Sequence, residues 1–410
     1  MNIDLAGKKI LVTGGTGFIG GRVVEKLVEE CSSQVRVLLR NYLRALRIAR
    51  YPIEMVRGDI NDPNEVTRAA EGCDIIIHCA YGNSGDDESR RAVNVVGTRN
   101  VLNAAVRARV KRFVHLSTVQ VYGRLANGDI DETASRRHFG HSYSDSKLDA
   151  EEVALEYFRN HGLPLVILQP TVVYGPYSLI WTESVLSSFR RERQILVDNG
   201  DGFCNAVYID DLANAVLLAC VRDGAVGESF LISAAQPVTW REFYGSYEQM
   251  LGISATVPMS VAEADAYDVK NRNSGPSIFK EAFSMLREDV VFRQRLLATR
   301  EMSLAKRITV SLLGEEARVS IKRRLKGGDG VCPIQNGHVE TRPIGLLRFP
   351  LDAKFYQTRA RIRIDKAKRL LGYEPSFDLA LGMKCTEQWA RWANLLQLLL
   401  YSIFHPDLLS

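Results

Sequence analysis

The chain has 410 residues, 46% hydrophobic and 25% charged, with a net charge of +5, enough to bury a large core in one big or two joined domains. No apolar run is long enough to span a bilayer and no basic-then-apolar stretch opens the chain; the seven cysteines and seven histidines lack disulfide or metal-ligand spacing. A cytoplasmic protein with no metal site is expected.

Along the chain, the first readable element is an apolar strand over Lys9–Thr13 that runs straight into glycines spaced three apart, Gly14, Gly17 and Gly20. Gly14 suits a tight turn, Gly17 lets the backbone approach a pyrophosphate, and Gly20 lets the next helix pack closely on the strand. With Phe18 and Ile19, these residues are the expected dinucleotide cradle, at a helix N-terminus whose dipole and free N–H groups face the phosphates. Val23, Val24, Leu27 and Val28 then recur at helical spacing, and Gln34–Arg40 reads as a second buried strand, completing a βαβ unit.

Short apolar runs at Ile53–Val56, Asp74–Cys79, Arg112–Leu116 and Pro164–Leu168 alternate with helical stretches, which predicts a parallel sheet covered on both faces. Glu88–Ala108 and Ser144–Arg159 are expected as neighbouring helices on one face and as a homodimer surface. From Thr171 the rhythm loosens, returning to strand at Ala206–Ile209 and Ser229–Ile232. Thr239 and Glu242 have capping-box spacing ahead of a helix. The fold class is thus α/β: a Rossmann-type doubly wound domain over 1–170, completed by about 205–235, with a substrate lobe interleaved from 171–204 and 236–410.

The segment 260–350 reads as an unusual basic insertion. Ten Lys or Arg against four Asp or Glu between 291 and 330 make the chain's basicity local. A solvated helical face is preferred there to a contact with an anionic substrate, a partner or a membrane surface, and few aromatics are present to stack on nucleic-acid bases. Lys326–Gly330 is expected as a loop, Asp365–Gly372 as a helix stopped by glycine, and Trp389–Phe404 as an apolar packing helix.

Tyr143 and Lys147 stand four apart at the start of a helix, so both side chains share a face. A tyrosine with a pKa of about 10 exchanges protons near neutrality only beside a positive charge, which Lys147 can supply. Upstream, a buried strand ends in Ser117 and Thr118 at the carboxyl edge of the sheet, where ligands of open α/β sheets bind. Thr118 can hydrogen-bond a substrate oxygen while Tyr143 transfers its proton.

Taken together, Thr13–Gly20, Gly58–Ile60, His78–Ala80, Asn94–Thr98, Ser117–Gly123, Tyr143–Lys147, Pro170–Pro176, Val207–Leu212 and Lys368–Pro375 resemble the extended short-chain dehydrogenase/reductases, the group containing nucleotide-sugar epimerases and dehydratases. The resemblance spans nearly the whole chain. It implies a catalytic set of Thr118, Tyr143 and Lys147, with Lys147 also gripping the nicotinamide ribose. It implies too that Asp59 and Ile60 lie against the adenine and Ala80 beside the cofactor, that Asn94 is structural, and that Tyr174, leading into the substrate lobe, binds substrate with Thr118.

Two departures bear on ligand choice. Where NAD-using members carry an acidic residue at the end of the second strand, this chain has Arg40, followed by Arg44 and Arg47; a cation suits a 2′-phosphate, so NADP is favoured over NAD. Where sugar-nucleotide enzymes commonly show arginine and asparagine, it has Gln169 and Val172. The expected function is epimerase- or dehydratase-like hydride chemistry on a nucleotide-linked sugar. An NADPH-dependent carbonyl reductase of a non-sugar metabolite follows closely, and a non-catalytic nucleotide sensor is third.

Overall fold

The computed structural model describes residues 3–82, 86–273, 342–347 and 352–396. The chain divides into two units, residues 1–264 with 343–396, and residues 265–342 with 397–410. Everything below concerns the first. The basic stretch 291–330, the loop Lys326–Gly330 and residues 397–404 lie outside the described residues.

Strands β1 (Lys9–Thr13), β2 (Gln34–Leu39), β3 (Glu54–Arg57), β4 (Ile75–His78) and β5 (Arg112–Leu116) fall within a residue or two of the expected runs. After β6 (Gly128–Ile130), which pairs with Ala360–Ile362, β7 (Leu165–Pro170) and β11 (Ser229–Ile232) join them. The seven form one parallel sheet ordered β11-β7-β5-β4-β1-β2-β3. Ile10 of β1 faces Val35 on one side and Ile75 on the other. Such strands are apolar along their whole length, as Ile75, Ile76 and Ile77 illustrate, because both faces are covered.

The sequence pattern did not reveal five short strands: β6, β8 (Val172–Tyr174), β9 (Gln194–Val197), Thr256–Met259 and Ala360–Ile362. β8 pairs with β10 (Ala206–Tyr208), and β9 with Thr256–Met259.

Helix α1 (Phe18–Glu29) follows the glycine turn and α2 (Pro63–Ala70) follows β3. The expected helix over Glu88–Ala108 is built in three parts: α3 (Asp87–Arg91), a π-turn over Ala92–Gly97, and α4 (Thr98–Ala108). It lies beside α5 (Ser142–His161), so that Val101, Leu102 and Ala105 meet Val153, Ala154 and Phe113 in one buried cluster. Helices α6 (Ser184–Arg191), α7 (Ile209–Val221) and α8 (Trp240–Leu251) follow; α8 opens with both bonds of the Thr239–Glu242 capping box.

Near the C-terminus, Gly372 at φ 68° stops the helical turn Ala367–Leu371, as expected. The apolar helix expected over Trp389–Phe404 is corrected: Asp378 caps a helix over Leu379–Trp392, and Asn394 follows it at φ 59°. The sequence pattern missed this start because only Met383, Thr386 and Ala390 of the later turns, with Gly382, are buried. No helix among the described residues is long and apolar enough to cross a membrane. None of their His, Cys, Asp and Glu side chains form a group able to hold a metal ion.

Candidate active site

The site is built at the carboxyl ends of β1, β4 and β5. Gly14 has φ 71°, and a Cβ there would come within 2.6 Å of the Ala80 backbone N, so the turn after β1 lies directly on the end of β4. At Gly20 a Cβ would meet the Gly14 carbonyl oxygen at 2.3 Å, which fixes the closeness of α1 to that turn. Gly17 is different: its added Cβ would meet only the Gly14 oxygen, at 3.2 Å. Its role is to cap α1 without a side chain. No side-chain cap bond and no acidic residue occupy the first turn of α1, which leaves its N–H groups and positive dipole end open to an anion. This cradle fits the pyrophosphate of a dinucleotide.

The residues expected around the rest of a dinucleotide line the same edge. Ala80 follows β4, and Ile60 is buried against Gly97. Asp59 is half-exposed and stands 3.7 Å from Arg40, whose side chain is 66% exposed at the end of β2. Arg47, which the sequence grouped with Arg40, has another task. It donates from Nε and Nη2 to Glu25, each at 2.8 Å, and to the Phe18 carbonyl at 3.2 Å, and it stacks on Tyr177.

Behind the cradle runs a buried polar chain. Thr98 Oγ1 donates to the Asn94 carbonyl at 2.6 Å, so it accepts from His78 Nε2 at 2.9 Å. His78 Nδ1 is then the acceptor for the Thr13 hydroxyl at 2.7 Å. His78 is therefore neutral, and its burial holds the pKa down at about 3. Asn94 accepts from the Gly82 N–H at 2.8 Å and donates to Ser146 at 3.0 Å, tying the exit of β4 to the first turns of α5. This is the structural part the resemblance implies for it.

Helix α5 brings Tyr143 and Lys147 to this edge. Tyr143 is half-buried, faces the Thr118 side chain and is in edge contact with the Tyr81 ring at 6.0 Å. Burial raises its pKa above the ordinary tyrosine value, so the phenol keeps its proton at neutral pH. Lys147 is buried and donates to the Leu116 carbonyl at 2.6 Å. Burial lowers its pKa to about 8, against the opposing pull of Glu151 and Cys79. Thr118, Tyr143 and Lys147 thus converge from β5 and α5.

One ligand assignment is corrected. Tyr174, expected to bind substrate, is 2% exposed; it packs against Tyr208 and Phe243, and its hydroxyl abuts Gly382. It is a packing residue. Gln169 and Val172, which replace the arginine and asparagine common in sugar-nucleotide enzymes, are also core. Gln169 is fully buried, accepts from Tyr122 at 2.8 Å and donates to both oxygens of Glu151. The sequence analysis missed Glu151; the signal was its place four residues after Lys147 on the same helix face.

Residues 10–233 match the NAD dependent epimerase/dehydratase family. A 4-hydroxy-2-methyl-3-oxo-4-farnesyl-3,4-dihydroquinoline-1-oxide ketoreductase of Stigmatella aurantiaca is 28% identical over 346 residues, 82% of this chain and 99% of the relative. A 2-alkyl-3-oxoalkanoate reductase of Stenotrophomonas maltophilia is 30% identical over 271 residues, 64% of this chain and 81% of the relative. In fold, the chain is similar to a dTDP-glucose 4,6-dehydratase of Streptomyces venezuelae, with a TM-score of 0.62 and 22% identity over 94% of this chain and 97% of that one. The glycine cradle, the ordered strands and these matches agree: the chain is an enzyme of the NAD dependent epimerase/dehydratase family, within the extended short-chain dehydrogenase/reductases.

Proposed function

We propose that this enzyme is an NADPH-dependent ketoreductase acting on an apolar, non-sugar substrate whose ketone lies near a second carbonyl. The observation that carries the reading is the convergence of Tyr143 and buried Lys147, one turn apart on α5, on Thr118 at the end of β5. A bound nicotinamide dinucleotide supplies the hydride. Thr118 then orients the substrate oxygen, Tyr143 gives it a proton, and Lys147 holds positive charge beside the phenol and grips the ribose. Gly14, Gly17, Phe18, Ile19 and Gly20 hold the pyrophosphate; Asp59, Ile60 and Ala80 flank the adenosine side. Arg40 meets the 2′-phosphate.

Reduction is preferred here to sugar-nucleotide epimerisation or dehydration, which reverses the order the sequence alone suggested. Gln169 and Val172, which stand where sugar-nucleotide enzymes commonly carry arginine and asparagine, are committed to the core, in keeping with the doubt the sequence cast on those contacts. Two relatives matched over 99% and 81% of their own length are named as a ketoreductase of a 3-oxo quinoline oxide and a 2-alkyl-3-oxoalkanoate reductase.

The test is to identify any nucleotide released on denaturing the purified protein, and to follow NADPH and NADH absorbance with ethyl 2-methylacetoacetate, a model 3-oxo ester. An empty protein that oxidises NADPH faster than NADH supports the reading. Stoichiometric retained NAD with no net consumption of reduced cofactor overturns it in favour of in-place recycling.

A further inference from the structure

One turn beyond Lys147, the carboxylate of Glu151 is completely buried. Gln169 Nε2 donates to its two oxygens at 2.9 and 3.1 Å, and Arg136 Nη1 donates to one of them at 2.9 Å. Gln169 is itself held by the Tyr122 hydroxyl, in the turn that follows Thr118. Burial raises the Glu151 carboxyl above its ordinary value, and the bonds from Gln169 and Arg136 oppose that shift and favour the ionised form. Arg136 is only partly covered, at 33% exposure. An ion pair made for stability alone gains little from drawing its carboxylate so deep.

We infer that Glu151 is a positioning residue: clamped by Gln169 and Arg136, its carboxylate is the counter-charge that retains and orients the Lys147 ammonium at the Leu116 carbonyl. The other groups around Lys147 do not supply that charge. His78 on β4 and His115 on β5 stack with centroids 5.5 Å apart, and burial keeps both neutral. The Cys79 thiol is pushed up to about 12 by burial, and the Tyr122 phenol is raised above its ordinary value for the same reason. Arg136 brings a second positive charge to Glu151, so it competes with Lys147 for the same carboxylate.

The inference rests on Lys147 gripping the cofactor, and the experiment separates the two ideas. NADPH affinity of the full chain is measured by fluorescence between about pH 6 and 10, where loss of the Lys147 charge gives an alkaline limb. Glu151→Gln keeps the size and hydrogen-bonding shape and is expected to move that limb about one pH unit lower. Arg136→Gln, on a partly exposed side chain, removes the competing cation and is expected to move it higher.

Opposite shifts support the role of Glu151. If Glu151→Gln does not fold, the upward shift in Arg136→Gln carries the test, and an unmoved or lowered limb there overturns it. Lys147→Met is the control. A limb that survives in Lys147→Met defeats the assignment of Lys147 to the cofactor, whereas a limb lost in Lys147→Met but unmoved in the other two variants defeats the positioning role alone.

Discussion

The Thr13 hydroxyl and the His78 ring lie 2.7 Å apart, joining the last residue of β1 to the last residue of β4 just beneath the glycine turn. The bond needs a neutral ring. The native state leaves His78 unprotonated down to about pH 3, while an unfolded chain takes up that proton near pH 6.5. Because the unfolded state binds more protons in this window, the contribution of His78 to stability is full above about pH 6.5 and is lost as the pH falls. At about pH 5 the loss is about 2 kcal/mol relative to pH 7. His78→Gln has no such titration, so urea unfolding at the two pH values should show a drop smaller by about that amount; equal drops in both proteins would remove His78 from the account.

The glycines divide by what surrounds them. Gly20→Ala drives a Cβ into the Gly14 carbonyl oxygen and should cost about 1–3 kcal/mol of stability. Gly17→Ala has a looser contact and should fold with a melting temperature near that of the parent while losing affinity for NADPH. Thermal melts beside dinucleotide titrations test this, and equal thermal losses would show that both glycines serve packing.

Tyr143→Phe removes the phenol that faces Thr118 and should lower kcat by about 10²- to 10⁴-fold. Affinity for NADPH should stay within about twofold, because the cradle and Lys147 are untouched. Turnover near the parent rate would assign the proton to another group.

Arg40 and Arg47 should respond in opposite ways. Arg40 is largely exposed, so Arg40→Ala should leave stability unchanged and weaken NADPH binding by about tenfold, about 1.4 kcal/mol, with little effect on NADH. Arg47→Ala strips Glu25 of two bonds and unseats Tyr177, and should cost about 1–3 kcal/mol of stability. If both cofactors weaken equally in Arg40→Ala, discrimination lies elsewhere.

The sheet was legible in the sequence because its buried parallel strands are built on short apolar runs, as at Ile10–Val12 and Ile75–Ile77. The glycine turn and the Tyr143–Lys147 pair were legible because each works over a few adjacent residues. What sequence could not separate was residues of one type with different surroundings. Arg40 and Arg47 look alike in a string, yet one is exposed and the other lies between Glu25 and Tyr177. Tyr174 follows an informative motif, but its burial depends on Tyr208, Phe243 and Gly382, far along the chain. Gln169 and Glu151 meet only because β7 and α5 pack together.

The sheet order also constrains how the chain can be made and cut. The flank of β7 away from β5 is closed only by β11, in the register Ile167↔Ser229 to Pro170↔Ile232, so a growing or truncated chain that stops after β7 carries an open row of backbone donors and acceptors on an apolar strand. Such an edge is a template for pairing with another copy. A fragment of residues 1–170 should therefore aggregate, and a soluble dinucleotide-binding fragment has to continue through Ile232.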